Sequence, residues 1–134
     1  METREFLKDP FYFHQVAYLL DKFDQGLDPI FYHAPVVLMV HTKRLIPTPR
    51  EDCILAAYNI VLAAESLGLG SCFVSLAQKA INSNSALKRL LDMDTAEQVH
   101  AVLVLGYPAI QYYRPIYRDS IPIRRFDGSD SRPD

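Results

Sequence analysis

The sequence predicts an α+β domain in which helices cover a small mixed sheet, and three observations predict it. Two short apolar runs, Ala34 to Val40 and Val99 to Leu105, are rich in β-branched residues and lack polar alternation. Strands covered on both faces read this way. Between the runs lies a long alanine-rich segment that opens on a helix start signal and closes on glycines. The order of segments is then helix, strand, long helix, strand, helix, strand and arm, which gives a layered domain.

The first helix is expected to start at Asp9 and Pro10, a side-chain acceptor followed by a residue with no N–H to satisfy. From Phe11 to Gln25 the positions Val16, Leu19, Leu20 and Phe23 recur at helical spacing, and Gly26 supplies the stop. This helix reads as amphipathic and packed on one side. Asp28-Pro29 breaks the chain before Ile30-Phe31-Tyr32-His33 and the first strand. Thr48-Pro49-Arg50-Glu51 then predicts a capping box, and the helix it opens runs to about Leu67, where Gly68 and Gly70 end it. Apolar residues lie nearly all round this helix, so it is expected to be buried. Its pairs Ala56-Ala57 and Ala63-Ala64 allow another backbone to approach, which points to a second subunit.

Ser71-Cys72-Phe73-Val74 reads as a short strand, and Ser83 or Asn84 as the cap of a helix carrying Leu87, Leu90 and Leu91. Val99 to Leu105 is the third strand, closed by Gly106-Tyr107-Pro108. Three strands make a thin sheet, as if others were missing or supplied by a partner. Residues 1–126 are read as one partial domain, and Asp127 to Asp134 as a disordered tail.

Bulk properties exclude several classes. A chain of 134 residues with 49% hydrophobic and 22% charged residues is an ordinary globular domain. A net charge of −2 gives no electrostatic footprint for nucleic acid or an anionic membrane. No apolar segment reaches spanning length, and the charged N-terminus is not a secretory signal. Cys53 and Cys72 form no CxxC pair, and are read as reduced core thiols in a cytoplasmic protein. His14, His33, His41 and His100 sit on separate elements with no metal-ligand spacing, so no metal site is expected. Asp92, Asp94 and Glu97 fall in a turn where acids are common, and no acid–base pair is assigned to them.

Composition and periodicity name no chemistry, but four strings in order resemble the FMN-dependent nitroreductase family. They are Ala34-Pro35-Val36-Val37-Leu38-Met39-Val40, the alanine-faced helix from Glu51 through Ala64, Gly68-Leu69-Gly70-Ser71-Cys72-Phe73-Val74, and Leu105-Gly106-Tyr107-Pro108 with its arginine-bearing arm. Asp28 to Pro35 is similar in wording to the branch fused to a ferredoxin-like iron–sulfur domain. The resemblance covers about residues 28 to 125 and corresponds to the C-terminal portion of the family's fold, a layered α/β/α arrangement.

The resemblance implies FMN held non-covalently at a homodimer interface. It also implies NAD(P)H as donor and a nitro compound, quinone or similar small molecule as electron acceptor. The flavin carries the hydride chemistry, so no catalytic side chain is nominated. Carried over by position, Phe73, Val74, Ser75 and Leu76 line the flavin ring, with backbone amides facing its N5 edge. Arg118, with Arg114 in reserve, is the candidate for the phosphate, because a guanidinium offers paired donors. Tyr107, Tyr112, Tyr113 and Tyr117 are read as an arm gripping a neighbouring subunit rather than a lid.

The chain departs from the family at its start: the RRSxR-like and Ser-x-x-Asn-x-Gln-Pro-Trp-like strings are absent, as is any CxxCxxC cluster. Part of the N-terminal fold is therefore expected to be missing. Two functions stay open, an FMN oxidoreductase that is incomplete alone and a non-catalytic truncated remnant acting as a dimerising module.

Overall fold

Helix ends set the layout of the chain. The computed structural model describes residues 10–43, 47–110, 113–114 and 117–123, with the backbone alone for 10–13. Asp9, Tyr112 and the tail from Asp127 lie outside the described residues. Helix α1 spans Pro10–Asp24. It stops at Gly26, whose φ of 75° brings Gly26 N–H to Phe23 O and Leu27 N–H to Lys22 O, at 2.9 and 3.1 Å. These are the paired bonds of a Schellman stop. Helix α2, Pro49–Ser66, ends in the same way at Gly68, with φ 72°. Asp92, at φ 54°, takes that left-handed position beyond α4, Ser85–Leu90; aspartate tolerates it better than most side chains.

The starts differ from expectation at one place. Pro49 occupies the first turn of α2 as predicted, but Thr48 makes no side-chain bond to the helix backbone. Its hydroxyl meets the Asp52 carboxylate at 3.3 Å, so the capping box with Glu51 does not form. At φ −126° and ψ 53° the Thr48 backbone leaves the extended conformation that would aim the hydroxyl at the amides. Asn84 does cap α4, accepting from Ala86 and Leu87 N–H at 2.9 and 3.4 Å. Helix α3, Ser75–Ser83, is one the sequence pattern did not predict.

Strands β1 (Val36–Lys43), β2 (Gly70–Phe73) and β3 (Glu97–Gly106) form one sheet in the order β1-β3-β2. Both pairings are antiparallel, so the sheet is not mixed. The cause is the insertion of β3: β1 and β2 run the same way on either side of α2, and β3 enters between them reversed. Only the central strand is covered as expected, with Val99 and Leu103 fully buried, whereas Val36 and Val37 on the edge strand β1 stay 43% and 40% exposed.

Opposite Val40 and His41, β3 carries one extra residue. Val40 pairs with Ala101 but His41 pairs with Val99, so His100 bulges out of the ladder. The bulge resets the alternation. Ala101 and Leu103 pack on one face with Ala57 of α2, Leu38, Val40 and Val61. Val99 and Val102 pack on the other with Ala77 and Ile81 of α3, Met93 and the half-buried Ile30, Phe31, Met39, Val74 and Leu91.

Beyond the short β2, the flank of β3 is completed by other groups. Val74 N–H donates to Val102 O at 2.8 Å. The Asn82 side chain brackets Val99, donating to its O at 2.7 Å and accepting its N–H at 2.9 Å. An amide side chain here does what a fourth strand would do.

Helix α2 is not buried all round. Cys53, Ala57 and Ala64 face the sheet, while Leu55, Tyr58 and Leu62 remain 63%, 55% and 51% exposed. Within one chain the sheet reaches only one side of it. On α1 Val16 and Leu19 are half-buried, but Leu20 and Phe23 stand 58% and 69% exposed, so its packing is slighter than its stripe predicts. Among the described residues no helix is long and apolar enough to cross a membrane.

Candidate functional site

On the α3 side of the sheet a cleft of about 630 Å³ opens between α1, the turn 28–34 and the junction of β2 with α3. That volume suits a small organic ligand. Phe73, Val74, Ser75 and Leu76, the four residues assigned to a flavin ring, all line it. His14, Gln15, Tyr18 and Leu19 of α1 line it too, with Pro29, Ile30 and Tyr32 of the turn and Cys72 and Val104 of the sheet. The walls are largely apolar and aromatic, and none of the lining residues is Lys, Arg, Asp or Glu.

Polar groups in the lining come from His14, Gln15, Tyr18, Tyr32 and Ser75, and the backbone of α3 adds donors beside them. Helix α3 begins inside the cleft with Val74 at its cap position, and no side chain caps it. The amides of Ser75, Leu76 and Ala77 belong to the first turn, where N–H groups have no intrahelical acceptor and the helix dipole is positive. The Val74 amide is already committed to Val102 O. The cleft thus offers a largely apolar wall beside the uncapped first turn of α3.

The opposite rim is set by Asp28. Its carboxylate accepts N–H bonds from Ile30, Phe31 and His33 at 3.1, 2.9 and 3.1 Å. The Phe31 amide holds this carboxyl below its usual range; desolvation opposes it, and the amides of His33 and Ile30 and the nearby imidazole of His33 add to the lowering. The turn so formed carries two consecutive left-handed residues that are not glycine, Tyr32 and His33, both at φ 54°.

Other candidates disperse. Arg114 and Arg118 are exposed and do not line the cleft. Tyr107, Tyr113 and Tyr117 are 87%, 96% and 87% exposed, so these three side chains touch little within one chain. Asp94 accepts the Ala96 N–H, and that bond, with the Thr95 hydroxyl and Lys43 in support, lowers its pKa. Glu97 accepts the Asp94 N–H at 3.1 Å, so these acids build a tight turn. No group of His, Cys, Asp and Glu able to hold a metal ion occurs among the described residues. His100 is buried with its Nε2 unpartnered.

Cys53 is buried as expected, and desolvation, with Asp52 beside it, pushes its thiol up. Cys72 is instead exposed, because it sits on an edge strand facing the cleft. Sequence reasoning found the β2–α3 wall through the glycine string but missed α1 and the turn. The signal was there in Asp28, an acid before proline at the head of an aromatic-rich turn.

The model of the nitroreductase family matches residues 4–107. The match reaches well before Asp28 and stops short of the arm with Arg114 and Arg118. No curated protein matches the chain by sequence. Among solved structures, a nitroreductase with bound FMN from Bacteroides fragilis NCTC 9343 is similar at TM-score 0.63 and 23% identity, over 90% of this chain and 64% of that one. Iodotyrosine deiodinase bound to FMN and 3-iodo-L-tyrosine is similar at TM-score 0.53 and 24% identity, over 83% of this chain and 56% of that one. A variant of an FMN- and NADPH-dependent nitroreductase, NfnB, from Sphigopyxis sp. strain HMH gives 0.55 and 18%, over 93% and 61%. In each case the chain spans less than two thirds of the other protein's length. The shared fold, and a family match that runs through α1, the turn 28–34, the sheet and the cleft walls, place the chain in the nitroreductase family.

Proposed function

We propose that this chain is the flavin-binding portion of an FMN-dependent oxidoreductase. The observation that carries the reading is the convergence of Phe73, Val74, Ser75 and Leu76 on one wall of the 630 Å³ cleft. A largely apolar wall beside the uncapped first turn of α3 fits an isoalloxazine, whose ring is flat and whose nitrogens and carbonyls accept hydrogen bonds. The solved structures of the same fold that hold FMN support it. Bound FMN supplies the redox chemistry. The chain's own residues exclude water from the ring and place donors along its edge.

The phosphate end fits less well, since the cleft lining supplies no arginine or lysine. Arg118, with Arg114 in reserve, is proposed for that role from the arm, either in the same chain or across a homodimer. NAD(P)H as donor, a nitro or quinone acceptor and a cytoplasmic setting complete the reading. The wording of Asp28 to Pro35 favours kinship with the ferredoxin-fused branch, and the missing arginine string favours a partial fold completed by other residues.

A second reading is favoured by the exposed apolar face of α2, Leu55, Tyr58 and Leu62: a dimerising module without flavin. One experiment separates the two. The purified chain is mixed with FMN, dialysed, and its absorbance recorded. Retained flavin bands are expected, with weaker retention in Arg118→Ala; a colourless dialysed protein would mean that the module reading holds.

A further inference from the structure

The turn 28–34 is more constrained than a chain reversal requires. Three backbone N–H groups converge on the Asp28 carboxylate, Tyr32 N–H bonds Asp28 O at 3.1 Å, and Ala34 N–H bonds Phe31 O at 3.0 Å. Ile30 and Phe31 are anchored in the core beneath. Such over-determination holds Tyr32 and His33 in a left-handed conformation that is uncommon for a tyrosine and that histidine tolerates better. Strain of this kind persists only where surroundings enforce it, and it gathers at ligand sites. Here it leaves the Tyr32 ring 78% exposed, yet on the lining of the cleft. Tyr18 and Phe73 line the same cleft, 60% and 48% exposed. Three aromatic rings and no charged aliphatic side chain suit a flat, uncharged aromatic molecule.

We propose that Tyr32 is a ligand-binding residue, its ring forming an aromatic wall at the cleft mouth for a flat, uncharged aromatic substrate, and that Asp28 is the positioning residue that holds it there. This rests on reading the cleft as the substrate and flavin site. Asp28 does not line the cleft; it acts through the turn.

Cys72 provides a reporter that needs no turnover, since it is exposed in the cleft while Cys53 is buried. The rate of Cys72 alkylation by iodoacetamide is followed by mass spectrometry while para-nitrobenzamide is titrated, on the full chain with and without added FMN. Cyclohexanecarboxamide serves as the non-aromatic control. The aromatic probe is expected to protect Cys72 in the wild type and in Tyr32→Phe. Half-protection should need about three- to tenfold more probe in Tyr32→Leu, the range of one aromatic pair. Asp28→Ala should weaken protection similarly, and should add nothing in the Tyr32→Leu background, whereas a merely structural role would make the two losses add. Circular dichroism checks that each variant is folded. Equal protection in wild type and Tyr32→Leu, or no protection of the wild type in either state, overturns the proposal. Loss of FMN on dialysis would sink the flavin reading separately and leave the Tyr32 comparison intact.

Discussion

Asp28 orders a turn beside the cleft without lining the cleft itself. Its pKa is depressed in the folded chain, chiefly by the Phe31 amide. A group with a depressed folded value contributes stability that is complete above its unfolded value and is lost as pH falls through the folded one. The window therefore lies below about pH 5. Urea unfolding measured down that range should show stability falling, and the fall should be shallower in Asp28→Asn. An equally steep acid limb in that variant would remove Asp28 as a contributor. Asp94 has the same sign through its bond to Ala96 N–H, so the limb is not expected to vanish. At this scale the sequence was partly legible. Phe73 to Leu76, singled out through the family resemblance of the glycine-bearing string before them, do line the cleft. The exposure of Cys72 was not legible, because a small apolar residue in a strand looks the same whether that strand is central or at the edge.

Among the elements, the long helix and the strands were legible because their signals are local: Pro49 at a start, Gly26 and Gly68 at ends, β-branched runs between. Helix α3 was not, because Val74 stands where a polar cap would announce it and its apolar residues continue those of β2. The same local view missed Asn82, whose importance depends on a strand segment 17 residues away. Removing its amide would leave the N–H and C=O of buried Val99 without these bonds, with only the longer Gln78 contact at 3.3 Å remaining on the carbonyl. Asn82→Ala should therefore cost about 2 kcal/mol in chemical denaturation. A loss within experimental error would show that water replaces the side chain freely.

For the whole molecule, what the sequence could not settle was which surfaces are interior, because that depends on chains beyond one. Leu55, Tyr58 and Leu62 fall on the face of α2 turned away from Cys53, Ala57 and Ala64, and Tyr107, Tyr113 and Tyr117 of the arm are exposed as well. Contiguous apolar surface of this kind marks an association surface. Light scattering should give twice the monomer mass, and the double change Leu55→Lys with Leu62→Lys should return it to the monomer. A wild-type monomer mass would leave those residues unexplained and count against a site shared between subunits.

The bulge in β3 also fixes where the chain's length is negotiable. His41 through Lys43 pair with Val99, Gln98 and Glu97, and Val40 pairs with Ala101. His100 alone has no place in that ladder, and it brings an unpartnered ring nitrogen into the interior. Among the residues of β3 with β1 pairings on both sides, it is the one whose omission leaves every other pairing with β1 in phase. The loss of a neighbour would instead shift part of the strand by one and exchange inward for outward side chains. What His100 contributes to this strand is therefore not register.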